Sequence, residues 1–164
     1  MRVSPFLKFP LTSAAIRVFL IKVFQYAMPI NFKAVDGLII VQFQGSVTAE
    51  DLQHLADAYQ DIEARLEITP DRITDLSEWV PSSEDLPSSA LNGFGRRRAH
   101  ANVRNKVKSA IIAPHPGQFG LARMYQAYNR NPNIETLVFK DSASAYAWIG
   151  RGAEEVVQKK SGGD

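Results

Sequence analysis

Asp75, Ser77, His115 and Arg123 are the residues whose types and placing could do chemistry in this chain. His115 stands between Pro114 and Pro116, just after the apolar run at residues 110–113. That run has no internal alternation, which is the pattern of a strand buried on both faces of a sheet. Asp75 and Ser77 lie toward the end of another predicted strand. In parallel α/β sheets ligands gather outside the carboxyl ends of the strands. A carboxylate, a hydroxyl, an imidazole and a guanidinium at that edge would make a small polar pocket. An enzymatic use would need Asp75, Ser77 and His115 within hydrogen-bond reach of one another. The plainer reading is that Asp75 and Ser77 cap or turn the chain and that His115 is a solvated loop residue.

Other chemistry finds less footing. There is no Gly-x-Ser-x-Gly elbow. Gly93-Phe94-Gly95-Arg96 lacks the Lys-Ser/Thr of a phosphate loop and does not follow a strand, and the dinucleotide fingerprint is missing. His54 and His100 fall on predicted helices with no His-x-x-x-His spacing, so no metal site is expected. The chain has no cysteine, which excludes a disulfide scaffold, a thiolate metal site and a cysteine nucleophile. It also fits a reducing, cytoplasmic setting. The expectation is a non-enzymatic protein with no catalytic residue, no metal and no cofactor.

The cations are unevenly spread. The formal net charge is only +2, too small to imply a nucleic-acid partner. Yet Arg96, Arg97, Arg98, Arg104, Lys106 and Lys108 follow one another with no acid between. If residues 90–104 are helical, Arg96, His100 and Arg104 share one face, with Arg97 beside them. This basic surface could engage an acidic protein, anionic lipid or phosphate backbone. No aromatic residue interleaves the cations, so base stacking has no support. A protein partner ranks first, a lipid or membrane surface second, and nucleic acid last. A solvated helix face is the plain alternative.

Positioning these residues requires an alternating chain. Asp36-Gly37 between apolar runs at 31–34 and 38–43 predicts a hairpin. Thr48 can cap a helix whose first turn carries Glu50 and Asp51. Leu52, Leu55, Tyr59, Ile62 and Leu66 follow at helical spacing, and Pro70 closes the helix. Residues 72–80 read as a strand, 81–89 as a polar loop, and 90 to about 104 as a helix with a weak apolar face. The buried strand at 110–113 is followed by a Pro-Gly turn and a helix through Leu121, Ala122, Tyr125 and Tyr128. Residues 134–139 read as a strand, and Asp141-Ser142 starts a last helix carrying Ala145, Trp148 and Ile149.

The order is ββαβαβαβα. It predicts an α/β single domain with a mostly parallel sheet of about four or five strands, an N-terminal antiparallel hairpin strand and about four helices. Residues 29–152 would form this domain, and 153–164 a flexible tail. Residues 1–28 read as an N-terminal extension, disordered or an over-called start, with an amphipathic or targeting role as the alternative. Arg17 and Lys22 interrupt the apolar run there, which argues against a spanning helix.

Certain residues carry a family resemblance. They are Gly37-Leu38-Ile39-Ile40-Val41, Gly45 before the Thr48 helix, Arg72-Ile73-Thr74-Asp75-Leu76-Ser77, Ala110-Ile111-Ile112-Ala113, Gly120-Leu121-Ala122-Arg123-Met124-Tyr125 and Val138-Phe139-Lys140-Asp141. In this order they resemble the STAS superfamily of anti-sigma factor antagonist domains, in particular its SpoIIAA-like branch. The resemblance implies a regulatory module that binds a protein partner. In regulatory members a serine at a helix N-terminus, within an Asp-Ser-Ser-Gly turn, is phosphorylated to switch binding. Here Asp75-Leu76-Ser77 matches the preceding strand end but no Ser-Ser-Gly follows, which leaves Ser82 and Ser83 as the phosphorylation candidates. The contact surface would be residues 81–104. The alternative is a membrane-surface carrier of an apolar or lipid-like ligand, held under the glycine-containing second helix.

Overall fold

The computed structural model describes residues 29–151. The predicted extension before residue 29 and the tail from 153 lie outside them. The elements are β1 (Ile30–Val35), β2 (Leu38–Gly45), α1 (Ala49–Arg65), β3 (Asp71–Trp79), α2 (Ser88–Ala99), β4 (Val107–Ile112), α3 (Pro116–Tyr128), β5 (Ile134–Phe139) and α4 (Ser142–Ile149). The five strands form one sheet in chain order. β1 runs antiparallel to β2, and the remaining neighbours are parallel. This is the predicted class and order.

Local chemistry explains most of the boundaries. Asp36 and Gly37 both have positive φ, 48° and 75°, as a two-residue type I′ hairpin turn requires. The Asp51 N–H donates to Thr48 Oγ1 at 3.2 Å, and the Thr48 N–H donates to the Asp51 carboxylate at 2.8 Å. This reciprocal box satisfies two donors that a helix start leaves orphaned.

The sheet sorts its side chains by alternation. Ile39, Val41, Phe43, Leu76 and Ile111 face one side, where they pack with Leu52, Leu55, Tyr59 and Ile62 of α1, Leu91 of α2 and Ala122 of α3. Leu38, Ile40, Ile73, Ala110 and Ile112 face the other, against Ala145 and Ile149 of α4.

Three boundaries differ from expectation. α1 stops at Arg65, with Leu66 already extended (φ −92°, ψ 134°), so Pro70 is not what ends it. Pro116 does not turn the chain away from a helix. It occupies the first turn of α3, where a missing N–H costs nothing. α2 ends at Ala99 and not near 104. Another segment takes one of its last carbonyls and two just beyond: Asn131 Nδ2 donates to the carbonyls of Arg98 (3.2 Å) and Ala101 (2.9 Å), and Asn133 Nδ2 donates to that of Val103 (2.6 Å). These side-chain amides cap the end and lead the chain into a loop.

Candidate functional site

The four residues of the predicted polar pocket are not gathered at one point. Asp75 accepts hydrogen bonds from the N–H and hydroxyl of Ser77. By alternation from Ile73, Asp75 projects toward the α4 side of the sheet, and its charge helps burial to raise the pKa of Tyr146 on α4. Arg123 is exposed on α3, over the opposite side of the sheet, and donates to Gln126 at 2.7 Å. His115 is exposed and precedes α3 as its N-cap. Its N–H donates to Gln118 Oε1 at 3.3 Å, and Gln118 Nε2 donates to the Trp79 carbonyl at 2.8 Å. The sheet therefore stands between Arg123 and the Asp75–Ser77 pair. Alternation puts them on different sides, and edge proximity alone does not predict that.

The basic surface is also rearranged. Because α2 stops at Ala99, Arg104 lies in the following loop, so Arg96, His100 and Arg104 do not share one helix face. Arg96, His100 and Arg104 are exposed, and the Arg96 guanidinium lies 6.0 Å from the centre of the Tyr128 ring. Arg97 reaches back to α1, to Asp57 at 2.6 Å and Gln60 at 2.8 Å. An exposed pair of that kind contributes about 0–1 kcal/mol. Ser82 and Ser83 lie in the turn ahead of α2. The Leu86 N–H donates to the Ser82 carbonyl at 2.9 Å. They precede Ser88, where α2 begins, by more than a turn. The helix dipole falls off within its first turn, so it would do little for phosphate there.

The strongest electrostatic feature is one the basic run conceals. Arg98 points inward from α2 and is 3% exposed. It forms a fork-to-fork pair with Glu63 of α1, one arm at 3.1 Å and the other shorter. Arg72 of β3 places Nη2 at 3.7 Å from the same carboxylate. Both guanidiniums lie over the Tyr59 ring, at 4.4 Å for Arg72 and 4.9 Å for Arg98. Burial works against the Arg98 charge, but the hydrogen bond and charge of Glu63 outweigh it and hold the guanidinium above its ordinary pKa. Each Glu63 oxygen accepts from Arg98, whereas Arg72 Nε and Nη2 are buried without a hydrogen-bond partner.

Arg72 lines a cavity between the sheet and α1, α2 and α3. Its volume is about 50 Å³, and Leu55, Leu91, Phe94, Ile111, Ser109 and Tyr125 are among its walls. Ser109 is the cross-strand neighbour of Arg72. Burial pushes the Tyr125 hydroxyl up to about 12, against the lowering influence of Arg98 and Arg72. Trp79 Nε1 is a second buried donor without a partner, and Trp79 also lines the cavity. It sits seven residues along β3, on the order of 20 Å from Arg72 at the strand rise, so one small molecule does not span the two.

Sequence reasoning missed Glu63, Arg72 and Arg98, although each had a signal. Glu63 follows Tyr59 by four residues, on the inner side of α1. Arg98 follows Leu91 by seven. Arg72 is in phase with Thr74 and Leu76, opposite Ile73. Among the described residues there is no cluster of His, Asp and Glu that could hold a metal. No described helix is long and apolar enough to cross a membrane.

No family model matches this chain, and no curated protein matches it. Among solved structures, it is similar to an uncharacterized protein from the DUF3478 family with a SpoIIAA-like fold, from Shewanella loihica. The identity is 17% and the TM-score 0.49, over 73% of this chain and 91% of that one.

Proposed function

We propose that this chain is a non-enzymatic regulatory module of the cytoplasm that docks an acidic protein partner through residues 81–104. One observation carries the reading: α2 has a firmly held inner side and a solvent-facing basic end. Leu91, Gly95 and Arg98 are buried, and Arg97 is tied to Asp57. That anchoring presents Arg96, and after it His100 and Arg104, to solvent at defined positions. Val80, at the entry to the segment, is 65% exposed and adds an apolar contact point. Charges arranged in this way steer encounter with an acidic surface and set specificity more than raw affinity.

The expected result is specific to charge. A photo-crosslinking residue at Asn92 should give a discrete protein adduct in the cells that make the chain. The double variant Arg96→Glu, Arg104→Glu should lose at least about tenfold of that adduct, the scale of 1.4 kcal/mol. Arg123→Glu, on α3, should leave it unchanged. An adduct indifferent to the Arg96/Arg104 reversal, or one reduced equally by Arg123→Glu, contradicts the assignment. The carrier reading lacks comparable support. Pockets for drug-sized ligands are about 300–1,000 Å³, whereas this cavity is about 50 Å³.

A further inference from the structure

The cluster beneath α2 does not balance. Two guanidiniums, Arg72 and Arg98, share one carboxylate, Glu63, and all three side chains are no more than 5% exposed. Buried charges are ordinarily paired and hydrogen-bonded. Arg98 meets that rule through its fork-to-fork bond. Arg72 does not, because its Nε and Nη2 are buried without acceptors and its closest carboxylate oxygen is 3.7 Å away. The surplus is one positive charge, and it borders a cavity.

We propose that Arg72 anchors a binding site for a small monocarboxylate with a short apolar body. The carboxylate accepts from Nε and Nη2 of Arg72, the planar geometry for which a guanidinium is built. The apolar body lies against Leu55, Leu91, Phe94 and Ile111, which line the same cavity. Charge and size define the class. A single negative charge cancels the surplus, whereas a phosphate dianion would reverse it. A cavity of about 50 Å³ confines the apolar body to a few carbons. The site involves neither Arg96 nor Arg104.

The test uses the full chain, labelled with nitrogen-15, and follows arginine Nε–Hε signals. Sodium butyrate is titrated at constant ionic strength against sodium chloride, with butyramide and sodium phosphate as parallel series. The Arg72 signal should move saturably with butyrate and stay in place with butyramide, which has the same shape without the charge. Butyrate in excess should also raise the unfolding temperature by several degrees, as expected of a ligand that binds only the folded state. Arg72→Met should remove that rise. An unmoved Arg72 signal, equal movement with butyramide, or a response to phosphate alone overturns the proposal. The comparison of butyrate with butyramide needs only the unaltered chain, so it stands even if Arg72→Met fails to fold.

Discussion

Replacing Glu63 by glutamine is expected to lower the unfolding free energy by about 3–5 kcal/mol. Glutamine keeps the volume and one acceptor but removes the carboxylate that, among the described residues, pairs with Arg98 and Arg72. Two guanidiniums would then be buried over the Tyr59 ring with no negative charge between them. A cation–π contact is worth about 0.5–2 kcal/mol and does not replace the lost pair. Asp57→Asn provides the comparison. It removes the exposed partner of Arg97, whose side chain is 41% exposed, and should cost about 0–1 kcal/mol. Urea unfolding followed by tryptophan fluorescence reads both variants. A Glu63→Gln loss no larger than that of Asp57→Asn would mean that water already screens the cluster.

The next largest effect concerns how α2 meets α3. A Cβ built on Gly95 would stand 2.7 Å from Tyr128 Cβ and 3.4 Å from Tyr125 Cδ2. Tyr128 Cβ is fixed to its backbone, so no rotamer change relieves the first clash, and the two helices must separate. Gly93, one position past Asn92 on the same helix, has nothing within 4 Å of its Cβ direction. Alanine at either position gains about 1 kcal/mol of helix propensity. The difference between the variants therefore isolates the overpacking cost, about 1–3 kcal/mol. Gly93→Ala should be more stable than the parent, and Gly95→Ala less stable than Gly93→Ala by that margin. Equal stabilities would mean that α2 is free to slide on α3, which the Phe94–Tyr125 ring stacking at 5.4 Å argues against.

The contrast between these two glycines shows how far the sequence could be read. Both glycines weaken the predicted helix equally, and only the position of α3 tells them apart. The same division holds elsewhere. Asp36-Gly37, the Thr48 cap and the Leu52-to-Ile62 periodicity act within a few residues, so they were legible. The buried 110–113 run was legible too, because two-sided burial removes alternation. The end of α2 was not, since Asn131 caps the Arg98 carbonyl from 33 residues away. Glu63, Arg72 and Arg98 lie on three elements, and nothing local marks them as partners. Arg98 is one more cation in the basic run by sequence, yet its place seven residues after Leu91 turns it inward. Position along the chain assigns Asp75 and Arg123 to the same sheet edge, but the alternation of β3 sends Asp75 to the other side.

Arg72 stands as the surplus cation of a cluster whose working pair is Glu63 with Arg98. The most direct measurement compares unfolding midpoints of Arg72→Met and Arg98→Met under identical conditions without added carboxylate. An unpaired buried charge is costly, so an apolar chain of similar length in its place removes that cost, whereas breaking a buried pair strands the other partner. Arg72→Met should therefore match or exceed the parent midpoint, and Arg98→Met should fall well below it. Equal losses in the two variants would show that Arg72 is a full partner of Glu63, and the surplus charge would not exist.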